Sequence, residues 1–195
     1  CVAVWSGSSQ SVKQQLLKSP KQLHDICTTT GANVMQVAAM LAYPKIVQLL
    51  LRAGADQDKS GRLQLPPLLM AAGSPFSAAH QVVLHLLEAD ADTNKTLPNG
   101  WTALHMAAAS PSPFAHQNLQ VLLQAGMDKN ATDHQGQTPL MVCVQQGHWK
   151  NTQTLLESEA KTDIQDKSGN TALDWAKLLE TQKCIELLQE HERKS

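Results

Sequence analysis

Three sets of residues in this chain are of types that could do chemistry. His105 stands in "GWTALHMAAAS", Gly100 to Ser110, beside an alanine-rich apolar run, where an imidazole could serve as a general base or a metal ligand. Asp56 with Asp58, and Asp90 with Asp92, are paired carboxylates of the kind that share acid–base work. Cys1, Cys27, Cys143 and Cys184 supply four thiols. None of these sets finds the partners it would need. The chain has no GxSxG elbow, no phosphate-cradling GxxxxGK[ST], no HExxH and no EF-hand loop. The cysteines lie far apart without CxxC spacing, and no ligand pair stands at metal spacing. The expectation is therefore a chain without a catalytic site, a metal or a cofactor, in which the thiols are buried, free and suited to a reducing compartment.

The elements that hold these residues are repeated. "GQTPLMVCV" at 136–144 and "GNTALDWA" at 169–176 restate the phrase at Gly100, so Gly136 and Gly169 stand 33 residues apart and Gly100 stands 36 before Gly136. A period of this size marks stacked units, each too small to bury its own apolar face. In "TPL", Thr138 is placed to cap a helix, Pro139 fits the first turn where its missing N–H is not needed, and Leu140 faces the core. Ala38-Ala39, Ala71-Ala72 and Ala107-Ala108 are small pairs that let neighbouring helices approach. Leucine runs at Leu49 to Leu51, Leu86-Leu87, Leu122-Leu123, Leu155-Leu156 and Leu187-Leu188 supply the bulk of a second set of helices. Gly54 and Gly126 follow such runs, where a left-handed residue ends the helix, and Asp90 and Glu159 replace the glycine in two units. Those two ends are expected to be strained or altered. Asp56, Asp58, Asp90 and Asp92 fall in the same segment of successive units, which makes them turn-forming or solvated residues.

Composition agrees with a repeat. The 195 residues are 42% apolar but only 4% aromatic, so leucine and alanine do the packing. Net charge is −1 and the 16 basic residues are scattered, so the chain has no electrostatic footprint for nucleic acid or an anionic membrane. No apolar run reaches the roughly 18 residues that a membrane-spanning helix needs, and the N-terminus has no signal-peptide pattern. The chain opens at Cys1 rather than Met, and the expectation is that it is a piece of a longer protein.

The pattern resembles the ankyrin repeat, whose theme is D-x-x-G-x-T-P-L-H-x-A-A, then G-H, then I-V-x-L-L-L-x-x-G-A-D-x-N. "DHQGQTPLMVCVQQGHWKNTQTLLESEAKTDIQ", Asp133 to Gln165, carries it most cleanly. "NGWTALHMAA" with "LQVLLQAGMDKN", and "DKSGNTALDWA" with "CIELL", carry it as well. "LPPLLMAAG" with "VVLHLLEADADTN", and "ANVMQVAAM" with "IVQLLLRAGADQD", are degenerate versions, and "VKQQLL" reads as the outer helix of a first, capping unit. The resemblance implies an all-α solenoid, a single domain over 1–195, of about six helix-turn-helix units (1–29, 30–59, 60–95, 96–131, 132–164, 165–195) with β-hairpin-like fingers. It implies that His105 bonds to neighbouring backbone and that His148 links two helices.

The function implied is non-catalytic binding of another protein on the finger and inner-helix surface, with no nucleic acid, membrane or small-molecule substrate. The alternatives are the regulatory or substrate-recruiting arm of a larger enzyme such as a ubiquitin ligase, and a transcription-factor regulator resembling the inhibitor-of-NF-κB group. The expected location is cytoplasm or nucleus.

In the family pattern the residue after the turn glycine faces the partner, which selects Trp101, Gln137 and Asn170. Trp101 stands out, since tryptophan is enriched at interface hot spots; the alternative is that its ring folds down onto an adjacent finger. Asn99, Ala109, Ser110, His134, Gln135, Gln145 and Gln146 are neighbouring contact candidates, while Trp149 opens an outer helix and Trp175 takes a core position. "GRLQLPP" lengthens one finger, and "GSPFSAAHQ" and "SPSPFAHQ" lengthen two inter-helix turns, which would bring Phe76 and Phe114 one above the other, either as a hydrophobic patch for a partner or packed on each other. Ser74 and Ser110 or Ser112, each before proline, are candidate phosphorylation sites that would add negative charge there. Asn94 and Asn130 lie in formal sequons, "NKT" and "NAT". Their spacing after the leucine runs also resembles the site at which an intracellular asparaginyl hydroxylase modifies ankyrin repeats. A third reading is structural, with the side chain bonding a turn.

Overall fold

The computed structural model describes residues 4, 6–18, 31–62 and 64–194, and the regular structure among them is helical. The helices are α1 (Ser9–Lys18), α2 (Val34–Met40), α3 (Pro44–Arg52), α4 (Pro67–Ala72), α5 (Ala79–Glu88), α6 (Ala103–Ala109), α7 (Ala115–Gln124), α8 (Pro139–Gln145), α9 (Trp149–Glu157), α10 (Ala172–Leu178) and α11 (Gln182–Lys194). The chain divides into two compact units, 1–95 and 96–195. In the first, α2 packs on α3 and α4, α4 on α5, α3 on α5, and α1 on α3. In the second, the inner helices α6, α8 and α10 pack in succession, as do the outer helices α7, α9 and α11, and each inner helix packs on its own outer one. The fold is an all-α repeat solenoid.

The starts of the inner helices explain why short segments become helical. Asn33, Thr102, Thr138 and Thr171 sit in extended backbone, and each side chain accepts the N–H three residues on, a cap that satisfies one of the unpaired donors of a helix start. In α2, α6 and α10 the bond is returned: the side chains of Gln36, His105 and Asp174 accept the cap residue's own N–H. Pro67 and Pro139 occupy the first turn, where no N–H is required. A helix of seven residues is marginal alone, so these caps work together with packing. Ala38, Ala39, Ala71, Ala72, Ala107 and Ala108 are completely buried, as their pairing implied. Leu50, Leu86, Leu122, Leu155 and Leu188 fill the core from the outer helices.

The outer helices end as expected in left-handed residues. Gly54 and Gly126 have φ of 82° and 79°, and Asp90 and Glu159 are forced to 58° and 59°. Ala42 and Glu180 take the same conformation in inter-helix turns, at φ 52° and 54°, where Gly147 has 69°. The sequence pattern marked the first pair of strained residues but not the second. Each costs about 1 kcal/mol relative to a relaxed backbone.

Candidate functional site

In the second unit three turns precede the inner helices, and their backbones close identically. The N–H groups of Leu97, Asp133 and Asp166 donate to the carbonyls of Trp101, Gln137 and Asn170, while Gly100, Gly136 and Gly169 donate back to residues 97, 133 and 166. In two of them a carboxylate sits inside the turn. Asp133 Oδ1 accepts the N–H groups of Gln135 and Gln137 at 2.8 and 2.9 Å, and Asp166 Oδ1 accepts those of Ser168 and Asn170 at 2.8 and 3.0 Å. Adjacent turns are joined, His134 N–H to the Asn99 carbonyl and Lys167 N–H to the Gln135 carbonyl, both at 2.9 Å. Gly100 has φ 89°, and a Cβ there would lie 2.9 Å from the His134 nitrogen, so both conformation and space demand glycine.

Side chains staple the turns further. The Trp101 indole N–H donates to Asp133 Oδ2 at 3.0 Å, and its ring stacks on His105 with centroids 6.2 Å apart. Gln137, at the same register one repeat on, bonds Asp166, whose Oδ2 also accepts the Trp175 indole at 2.8 Å. Burial alone would raise the Asp166 carboxyl, but the donors from Asn170, Trp175, Ser168 and Gln137 together hold it below the usual carboxylate range. His105 is wholly buried: Nδ1 accepts the Thr102 N–H at 3.2 Å and Nε2–H donates to the Gln137 carbonyl at 2.9 Å. Burial pushes its pKa down, against the Gln137 carbonyl and Asp133, which pull it up. With both nitrogens taken, His105 ties one repeat to the next.

The ankyrin-repeat model, "Ankyrin repeats (3 copies)", matches residues 68–166 and 115–195. The chain belongs to the ankyrin repeat family. A search of the curated proteins returns no match. Ankyrin repeats are in general protein–protein interaction modules, and among the described residues no group of three or more His, Cys, Asp or Glu is arranged to hold a metal ion. Nor is any described helix long and apolar enough to cross a membrane.

The ankyrin turns expose Asn99, His134 and Gln135. Gln146 is exposed at the end of α8, and Gln145 and Ala109 are half-buried. Trp101 and Gln137, expected to be unconstrained by packing, are half-buried and bonded to the next turn, because the carboxylate of that turn lies within reach of the residue after each glycine. Ser110, expected at the surface, is buried, as are Ser74 and Ser112. Ser74 donates its hydroxyl to the Met40 carbonyl and Ser112 accepts the Phe114 N–H, so the phosphorylation reading lacks an accessible hydroxyl. Phe76 and Phe114 belong to different units, and each is exposed. Trp175 is half-buried rather than in the core.

Other residues take structural roles. His148 Nδ1–H and the Asn151 amide donate to the carbonyls that end α6, from Ala108 and from Ala107 with Ala108, so His148 links its repeat to the preceding one, whereas the family pattern implied a link between the two helices of its own repeat. Cys143 and Cys184 are buried free thiols, both within hydrogen-bond reach of the Thr152 hydroxyl. Burial pushes the Cys143 thiol up to about 12, which leaves it unreactive. Cys1 and Cys27 lie outside the described residues.

At the segments that end each repeat, Asp56, Asp92 and Asp128 accept the N–H two residues on. Asn130 then reaches the following repeat, its Oδ1 accepting the Lys161 N–H at 2.9 Å. Asp58 does likewise for the Asp92 N–H and pairs with Lys95. Asp56 and Asp92 are thus turn-formers, Asp58 bridges two repeats, and Asp90 and Asn94 are exposed. The residue that sequence reasoning missed most plainly is Gln36. Its Oε1 accepts the Asn33 N–H and its Nε2 donates to the carbonyls of Ser60 and Leu65, the same work that His105 does.

Proposed function

We propose that the chain is a non-catalytic recognition module that holds a partner protein on its turn and inner-helix surface, centred in the second unit on Asn99, His134, Gln135 and Gln146. One observation carries this reading: the backbones of these turns are locked by the Asp133 and Asp166 carboxylates and by bonds between turns, while the side chains at their tips are exposed. A surface already ordered before binding loses little further entropy when a partner arrives. Trp101 and Gln137 position that surface through Asp133 and Asp166, and Trp101 adds the part of its ring that remains accessible. The free thiols Cys143 and Cys184 favour a reducing compartment, cytosol or nucleus.

The test compares affinity capture from cell lysate by the wild-type chain and by a His134→Ala, Gln135→Ala variant with unchanged thermal melting. A partner lost by the variant supports the surface. A partner held equally by both removes it.

A further inference from the structure

Each inner helix runs from a finger turn at its start to an inter-helix turn at its end, so the second unit has a further edge, remote from the fingertips. The exposed bulky apolar side chains of that unit collect there, in three successive repeats: Phe114 at 41% exposure, Trp149 at 40%, Leu178 at 66% and Leu179 at 46%. The fingertips, by contrast, expose polar Asn99, His134, Gln135, Lys167 and Ser168.

Between two of these turns lies a groove of about 230 Å³ whose walls are Pro111, Pro113 and Trp149. Its polar lining is occupied internally, His148 and Asn151 by the α6 carbonyls and Ser112 by the Phe114 N–H. Lys150 is the one charged residue of the lining, with its ammonium 5.5 Å from the centroid of the Trp149 ring and no carboxylate paired to it among the described residues.

These features define the occupant. The groove is smaller than the roughly 300–1,000 Å³ of small-molecule sites, and suits one or two side chains of a longer segment. Prolines offer no N–H, so the walls cannot extend a strand ladder, and recognition falls to side chains against the indole and pyrrolidine faces. The unpaired ammonium asks for an anion beside the apolar group.

We propose that this groove docks an extended acidic peptide segment, seating an apolar side chain between Pro111, Pro113 and Trp149 and pairing a neighbouring carboxylate with Lys150. The site is independent of the fingertip surface.

A random peptide library displayed on phage, selected on the wild-type chain and counter-selected on Trp149→Ala, provides the test. The expected winners carry Asp or Glu next to Leu, Ile, Phe or Pro. As synthetic peptides they bind the wild type, weaken by about tenfold or more on Trp149→Ala or Lys150→Glu, and weaken as salt rises. Lys150 is exposed, so Lys150→Glu keeps the test valid should Trp149→Ala fail to fold. A selection that enriches nothing, winners that are basic, or binding untouched by Lys150→Glu overturns the proposal, and each of these leaves the fingertip surface unaffected.

Discussion

Two substitutions at His105 separate its hydrogen bonding from its acid–base chemistry. Alanine removes the acceptor of the Thr102 N–H and the donor to the Gln137 carbonyl, in a site with no solvent exposure. Two orphaned backbone groups at roughly 1–3 kcal/mol each, with a cavity the size of an imidazole, give an expected loss of about 4 kcal/mol. Glutamine is different, because Gln36 accepts its cap residue's N–H and donates to the next repeat's carbonyls with no ring at all. His105→Gln should therefore stay within about 1 kcal/mol of the wild type.

Their pH dependence should differ too. Burial holds the folded pKa of His105 below its unfolded value. The stability it contributes is thus present above the unfolded histidine pKa, about 6.5, and is lost as pH falls through that value toward the folded one. Urea unfolding followed by far-UV circular dichroism, at about pH 7.5 and about pH 5.5 on either side of the histidine range, should show a smaller acid-induced drop for His105→Gln than for the wild type. An alanine variant that loses less than about 1 kcal/mol, a glutamine variant as damaged as the alanine one, or an unchanged pH slope in the glutamine variant would each refute the reasoning.

Asp133→Ala strands the N–H groups of Gln135 and Gln137 and the Trp101 indole, and should cost about 3 kcal/mol by denaturant titration, with a red-shifted tryptophan emission as Trp101 is released; a cost below about 1 kcal/mol counts against the staple. Glu159→Gly and Asp90→Gly relieve left-handed backbone and should each raise stability by about 0.5–1 kcal/mol, read as a higher melting temperature, whereas a lowered one would mean that the side chains matter. Asp166 should make the fold acid-labile: its folded pKa is depressed, so its contribution is present above the unfolded carboxylate range and fades as pH falls through the folded value. Asp166→Asn should flatten that loss, and an identical acid transition would contradict it. Asn130→Ala removes the acceptor of the Lys161 N–H and should cost about 1 kcal/mol. Intact mass of protein from a eukaryotic cytosol checks the modification reading at the same residue, where a gain of one oxygen supports hydroxylation and an unmodified asparagine leaves only the turn-bridging role.

Much of the ankyrin architecture was legible because it depends on local rules. Thr138-Pro139 announces a helix start from the chemistry of two adjacent residues, and the αL conformations at Asp90 and Glu159 follow from the register of the glycines they replace. The surface was less legible. Trp101 reads equally as a partner contact or as a ring folded onto the adjacent finger until the Asp133 carboxylate, 32 residues away, is placed beside it, and Ser110 reads as a contact residue although it is buried, its Oγ accepting the Ser112 N–H. The signal for the first was present in "DHQG" and "DKSG", where an aspartate three before each glycine can hold its own turn and still have an oxygen to spare.

The sequence by itself determined the repeat period, the helix starts, the buried alanine and leucine positions and the absence of known catalytic motifs, since each of these rests on a local pattern or on its recurrence along the chain. Tertiary structure decided which side chains remain available to a partner. It joined Gln36 and His105 in one role despite their different chemistry, turned Trp101 and Gln137 into staples, and set Pro111, Pro113, Trp149 and Lys150 around one groove. The physical reason is that a hydrogen bond or a groove wall needs two partners at contact distance, and in a stacked repeat the second partner comes from the next unit of the chain, where no local pattern can point to it.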